Sequence, residues 1–84
     1  MTVTVFVPDI PEFRPLVRAA EKLEGCIVRP PNEGYWRLEA ARELRFSRKD
    51  LGLGPAIWNS ALSGGFRGRI VEYGNDVMRL ASED

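Results

Sequence analysis

The stretch LGLGPAIWNSALSGGFRGR, residues 51–69, holds five of the chain's eight glycines and one of its two tryptophans. Pro55 suits the first position of a helix, and Gly64 and Gly65 can adopt the left-handed backbone that ends one. We therefore predict a short helix over residues 55–63. Its apolar side chains recur at helical spacing and predict a face that packs on the core. They are Ile57, Trp58, Ala61 and Leu62.

Composition predicts one small globular domain, residues 1–84, because 44% of the residues are hydrophobic and 29% are charged. Twelve basic and twelve acidic residues cancel, so no overall charge attracts the chain to nucleic acid or to an anionic membrane. Cys26 is the single cysteine and histidine is absent. This argues against a zinc site and against catalysis with an imidazole base. No apolar stretch is long enough to span a bilayer, so a cytoplasmic location is expected.

The N-terminal part predicts a strand followed by an amphipathic helix. Residues 2–7 alternate valine with threonine or phenylalanine, which is typical of a strand. Residues 12–24 carry apolar side chains three and four positions apart, which predicts a helix with Pro15 in its first turn and Gly25 as its stop. The apolar positions are Phe13, Leu16, Val17, Ala20 and Leu23.

The middle of the chain predicts a hairpin. Residues 26–29 suit a short strand, and residues 30–34 suit a turn because they are rich in proline and end in glycine. The next segment, residues 35–46, keeps its apolar side chains in one alternating register that only Arg42 interrupts. The apolar side chains of that register are Trp36, Leu38, Ala40, Leu44 and Phe46.

Four arrangements would account for Arg42. The favoured one is a bulge or break near Ala40 and Ala41, after which the register resets. The strand could instead end in solvent, or Arg42 could be buried for a functional reason. A helical interruption is the fourth alternative, since residues 39–44 are good helix formers.

The C-terminal part predicts a helical turn and a second hairpin. Ser47 with Asp50 resembles a capping box, which indicates a single turn of helix. Gly74 and Asn75 lie between two apolar segments, and the leading glycine suits a type II′ turn. That register puts Val71, Tyr73, Met78 and Leu80 on one face and Ile70, Glu72, Val77 and Arg79 on the other.

The predicted fold class is α+β, with two helices packed on a mainly antiparallel sheet. The order of the first six elements resembles the ferredoxin-like plait (βαββαβ), with one further hairpin strand at the C-terminus. The plait also hosts RNA-binding modules, which stack bases on aromatic side chains. Residues 37–46 lack the glycine and the paired aromatics of that pattern, so a nucleic-acid partner is not expected.

Residues 63–69 are the leading candidate for a ligand site. Gly64 and Gly65 can expose backbone amides, and Arg67 and Arg69 add two guanidinium groups, which together suit a phosphate or a carboxylate. The alternative is a helix stop and a tight turn with solvated arginines.

Three residues outside that segment complete the candidate set. Arg42 could join the anion site, and Tyr35 and Trp58 could form an apolar pocket wall, although Trp58 also fits the core. We assign no catalytic residue, metal ligand or cofactor, and an enzymatic role is the less favoured interpretation.

We expect a small cytoplasmic, non-catalytic binding or accessory protein that associates with another protein or with itself. Phe6, Ile70 and Val77 give the second sheet face more apolar area than a solvated face needs, which favours a homodimer. The alternative is an anion- or small-ligand-binding domain, including an enzyme, that uses Arg67, Arg69 and Arg42. No membrane partner is expected.

Overall fold

The structure, a computed structural model, describes residues 2–83 and folds them into seven strands and three α-helices. In chain order these are β1 (Val3–Pro8), α1 (Arg14–Lys22), β2 (Cys26–Asn32), β3 (Tyr35–Ala40), β4 (Glu43–Ser47), α2 (Arg48–Leu51), α3 (Pro55–Asn59), β5 (Phe66–Arg67), β6 (Arg69–Tyr73) and β7 (Val77–Ala81). The predicted α+β class is confirmed. No helix within residues 2–83 is long and apolar enough to cross a membrane.

The strands form two antiparallel sheets, whereas the sequence predicted one. The first sheet has the strand order β2-β3-β1-β5, and the second has the order β4-β7-β6. Two stretches of chain pass from one sheet to the other, β3 into β4 through residues 41–42 and β5 into β6 through Gly68. Gly68 has a φ of 128°, and a Cβ there would lie 2.7 Å from the carbonyl oxygen of Ala81. Only glycine fits this corner between the sheets.

The bend at residues 41–42 explains the interruption at Arg42. The buried side chains before and after the bend all face the core: they are Leu38, Ala40, Leu44 and Phe46. Arg42 itself is exposed, so the favoured break is confirmed and the alternative of a functionally buried Arg42 is wrong. The helical interruption is also wrong, because β3 and β4 run up to the bend on either side.

Helix α1 packs against the inner face of the first sheet through β2 and β3. Pro15 lies in its first turn as predicted. The helix ends at Lys22 with Leu23 as its C-cap, so the predicted stop at Gly25 is wrong, and the φ of 81° at Gly25 belongs to the turn that follows. The helix starts two residues later than predicted because Pro11–Phe13 form a 3-10 turn. Its apolar stripe meets side chains from both sheets in one core, whose fully buried members include Leu16, Val3, Val5, Val7, Leu44, Met78 and Leu80.

The central stretch folds as two short helices and a run of turns. Helix α2 is the predicted single turn, although the side chain of Ser47 makes no capping hydrogen bond. Helix α3 ends at Asn59, earlier than predicted, and turns continue to Gly64. Gly65 has the predicted positive φ, 98°, but Gly64 does not, and the helix ends at Asn59 with Ser60 as its C-cap, so the prediction that these glycines end the helix is wrong. Of the predicted core stripe, Trp58 and Ala61 are buried and Ile57 and Leu62 are half-buried.

Both predicted hairpins form, with turns that differ from those predicted. β2 continues to Asn32, so only Glu33 and Gly34 make the first turn. Their φ values of 57° and 88° are those that a type I′ turn requires.

In the second hairpin the predicted turn residues are wrong. The Gly74 amide donates to the carbonyl oxygen of Val77 at 3.0 Å, which leaves Asn75 and Asp76 as the turn. Gly74 also lacks the positive φ of a type II′ turn. A bulge between Ile70 and Glu72 then shifts the register, so that Ile70 lies opposite Leu80 and not on the outer face where the sequence placed it.

Candidate anion-binding face

The outer face of the first sheet carries an unusual concentration of arginine. Because the valines of β1 point into the core, the alternate residues of β1 and of the strands paired with it point outward. We call this outer surface the arginine face, and it consists of Thr4, Phe6, Ile27, Arg29, Tyr35, Arg37, Glu39 and Arg67. Thr4 forms its floor, because only 5% of this residue is exposed.

Strand pairing sets these side chains in two rows. In one row Arg29 lies directly opposite Arg37, and Arg37 lies opposite Phe6. The other row runs across all four strands as Ile27, Glu39, Thr4 and Arg67. Like charges directly opposite each other destabilise a sheet. The first row therefore needs a compensating charge.

Glu39 supplies that charge. Arg29 Nε donates to Glu39 Oε1 at 2.6 Å, and Arg37 Nε lies 3.4 Å from Glu39 Oε2. The two arginine side chains are about half exposed, so each ion pair adds at most about 1 kcal/mol to stability. Three guanidinium groups minus one carboxylate give the eight residues of the face two net positive charges, and Glu33 adds a carboxylate at the rim of the sheet near Arg29.

Two shallow hollows flank Arg37. The larger, of about 280 Å³, is bordered by Arg29, Glu33 and Tyr35. The smaller, of about 140 Å³, is bordered by Thr4, Glu39 and Arg67. Phe6 and Arg37 border both hollows. A ligand lying over this sheet would therefore contact these two side chains.

The structure brings part of the predicted site to this face, namely Arg67, Tyr35 and the two glycines. A Cβ on Gly64 would lie 2.3 Å from the carbonyl oxygen of Phe6 and 3.0 Å from Cε1 of Tyr35, so the turn approaches β1 closely. The Gly65 carbonyl accepts from the Phe6 amide, and the Gly65 amide donates to Leu62, each at 3.0 Å. That amide is therefore used within the turn.

The other predicted site residues lie elsewhere. Arg69 is on β6 in the second sheet, opposite Ala81. Arg42 is exposed in the bend between β3 and β4, and Trp58 is in the core with 1% of its surface exposed. The structure thus does not bring these three residues to the arginine face.

Sequence reasoning missed five residues of the face, and it assigned Phe6 to an apolar association face. The five are Thr4, Ile27, Arg29, Arg37 and Glu39. The alternation of residues 35–46 already put Tyr35, Arg37 and Glu39 on the polar side of one strand. The missing information was which strands lie beside it, because Arg29 and Arg67 reach the face only through pairing of β2 with β3 and of β5 with β1.

The second sheet offers a matched comparison. On its outer face Arg45 lies opposite Arg79, and Glu72 lies on the other side of Arg79. Arg79 Nε is buried and has no hydrogen-bond partner among the described residues. This face also carries three arginines, since Arg69 lies opposite Ala81 in the next row, but it has two carboxylates, because Glu43 lies on the other side of Ala81.

Two titratable side chains outside the arginine face have shifted pKa values. Burial raises the pKa of the Cys26 thiol, and burial likewise raises the pKa of the Tyr73 hydroxyl. Cys26 lies opposite Ala40 and faces the core, and its raised pKa lowers the fraction of reactive thiolate at neutral pH. Residues 2–83 contain no group of three or more His, Cys, Asp or Glu side chains that could hold a metal ion.

No known protein family matches this sequence, and a comparison with curated proteins found no relative.

Proposed function

We propose that this chain is a non-catalytic binding protein that associates with an acidic protein partner through the arginine face. The observation that carries the proposal is the charge of that face, where three arginines lie in two adjacent rows with one glutamate. Ile27 and Tyr35 add apolar area beside the charges, since they are 56% and 42% exposed. Arginine and aromatic side chains are the groups enriched at the centre of protein interfaces.

A second copy of the chain suits this face less well. In a two-fold dimer the same patch meets itself, so arginines would face arginines. The apolar argument for a homodimer also changes, because Phe6 lies on the arginine face while Val77 and Ile70 belong to the second sheet. Light scattering over a wide concentration range tests self-association, and we expect a monomer. A stable dimer would make a second copy the partner.

We also infer that the first sheet is a form of the ferredoxin-like plait. Its strand order, β2-β3-β1-β5, with α1 between β1 and β2, supports this relationship. In that view β4, α2 and α3 occupy the place of the second helix.

Poly-L-glutamate is a suitable acidic probe for the arginine face. We expect Arg37→Gln to weaken its binding about three- to tenfold at low salt, because a charge-assisted contact is lost. Arg45→Gln is the matched control, since it removes an exposed strand arginine that also lies opposite an arginine, but on the second sheet. If both variants lose the same amount of affinity for poly-L-glutamate, the binding depends only on the overall charge of the chain, which would contradict the proposal.

A further inference from the structure

We propose that the arginine face recognises a phosphorylated side chain of its partner, and that the phosphate lies between Arg37 and Arg67 above Thr4. This inference rests on the proposed function and names the chemical group that the partner presents. Arg37, Arg67 and Thr4 border one hollow of the sheet, together with Phe6 and Glu39.

The charge of the face matches a phosphate better than a carboxylate. At the smaller hollow Arg37 and Arg67 provide two positive charges, because the Glu39 carboxylate is paired most closely with Arg29, at 2.6 Å. A phosphate monoester carries about −1.5 to −2 at neutral pH and offers three acceptor oxygens. A single carboxylate would leave about one positive charge of the face uncompensated.

The placement of the arginines also suits a tetrahedral anion. Thr4 pairs with Glu39 on one side and with Arg67 on the other, so the backbones of β3 and β5 lie about 10 Å apart across β1. Arg37 and Arg67 can therefore reach one anion from opposite sides. The hollow, of about 140 Å³, is open to solvent and is not too small for an anion of this size.

Glu39 explains why Arg37 is the arginine available to the ligand. The contact from Arg29 to Glu39 is short, at 2.6 Å, whereas that from Arg37 is 3.4 Å. Arg37 is therefore held beside the hollow by a weaker contact that it can exchange for a phosphate oxygen. Holding the guanidinium near its bound position lowers the entropy cost of binding.

The test is a two-dimensional NMR titration of the whole chain with inorganic phosphate and with acetate at matched ionic strength. We expect phosphate to shift the signals of Thr4, Arg37 and Arg67, with several-fold tighter binding than acetate. Affinity for a phosphate monoester such as O-phosphoserine should fall several-fold between pH 7.5 and 5.5, because the second pKa of a monoester is about 6. The chain lacks histidine, the side chain that ordinarily titrates in this range, so the fall would report the ligand.

Two further arms identify the source of the phosphate and the site. O-phosphoserine should bind at least as tightly as inorganic phosphate, and serine should not bind. Arg67→Gln should weaken phosphate binding at least threefold, whereas Arg69→Gln, two residues away on the second sheet, should not. Both arginines are exposed, so neither variant should unfold the chain.

The outcomes separate this inference from the proposed function. If acetate and phosphate bind equally well, or Arg69→Gln is as harmful as Arg67→Gln, phosphate is an adventitious ion only and the inference fails. In that case, weaker binding of poly-L-glutamate by the Arg37→Gln variant would still support the proposal of an acidic partner. If Arg37→Gln changes the affinity for neither phosphate nor poly-L-glutamate, the proposed function fails as well.

Discussion

The hydroxyl of Tyr73 donates a hydrogen bond to the backbone carbonyl of Trp58, and the two rings meet edge to face with centroids 6.0 Å apart and planes at 77°. Trp58 Nε1 in turn donates to the carbonyl oxygen of Gly74 at 2.8 Å. These contacts join α3 to the hairpin of β6 and β7. They give the indole a hydrogen-bond acceptor in a position where only 1% of its surface is exposed.

Replacement of Tyr73 by phenylalanine should keep the ring contact and remove one hydrogen bond. The Trp58 carbonyl also accepts from the Ala61 amide at 3.2 Å, so it is not left without a donor. We therefore expect a loss of about 1 kcal/mol in the free energy of unfolding, measured in urea. Tyr35→Phe is the control, because the Tyr35 side chain is exposed. An equal loss in the control would argue against the hydrogen bond.

Stability should fall at alkaline pH because burial raises the pKa of Tyr73. The unfolded chain releases this proton near pH 10, whereas the folded chain keeps it to higher pH. The folded state then binds more protons, so the contribution is fully present below about pH 10 and declines as pH rises through the folded pKa. Urea unfolding between pH 8 and 11 should show a decline that Tyr73→Phe reduces. An unchanged slope in that variant would contradict the assignment.

The sequence predicted the helices and strands that depend on residues close together in the chain. The alternation of residues 2–7 and the helical spacing of residues 12–24 depend on neighbours in the chain, and the strand and the helix that they predict are confirmed, the helix over Arg14–Lys22. The split into two sheets was not predictable in this way. The corner at Gly68 is dictated by Val3 and Ala81, which approach it only in the folded chain.

In the candidate site, too, the features set by neighbouring residues were predictable and those set by tertiary contacts were not. Alternation indicated that Arg37 and Glu39 share the polar side of a strand, but no local pattern linked them to Arg29 and Arg67. Cross-strand pairing makes that link. A glycine-rich segment with two arginines drew attention to residues 63–69, yet the corner at Gly68 sends Arg67 and Arg69 to different sheets.

Gly64 should not tolerate a side chain. Its Cβ would lie 2.3 Å from the carbonyl oxygen of Phe6, and a backbone atom in a central strand cannot easily move away. Gly64→Ala should therefore lower the free energy of unfolding by at least about 2 kcal/mol or shift the turn away from β1. Gly74→Ala is the control, since nothing lies within 4 Å of its Cβ position. If Gly64→Ala leaves the stability unchanged, the turn at Gly64 does not lie as close to the Phe6 carbonyl oxygen as the 2.3 Å distance indicates.

A substitution at Glu33, in the turn between β2 and β3, should stabilise the fold. Glu33 has a φ of 57°, which disfavours most side chains, and it precedes Gly34 in a type I′ turn. Asparagine adopts this conformation more readily, so Glu33→Asn should raise the free energy of unfolding by about 0.5 to 1 kcal/mol. Thermal unfolding should shift upward by several degrees. Glu33→Gln removes the same charge without relieving the backbone, and it should not reproduce the gain.

Glu39→Gln should move stability and anion binding in opposite directions. Without the carboxylate, Arg29 and Arg37 lie opposite each other uncompensated, and we expect a loss of up to about 1 kcal/mol in the free energy of unfolding. The same change leaves three positive charges facing a ligand, so affinity for inorganic phosphate and for poly-L-glutamate should rise several-fold. Urea unfolding and NMR titration of one sample measure both effects.

The comparison variant for this prediction is Glu72→Gln on the second sheet. Glu72 lies opposite Arg79, so its removal changes the net charge of the chain by the same amount but leaves the arginine face intact. It should not change the affinity for phosphate. If both variants raise affinity equally, binding follows net charge alone. If Glu39→Gln weakens binding, Glu39 contributes to the site by orienting Arg37 more than it competes with the ligand.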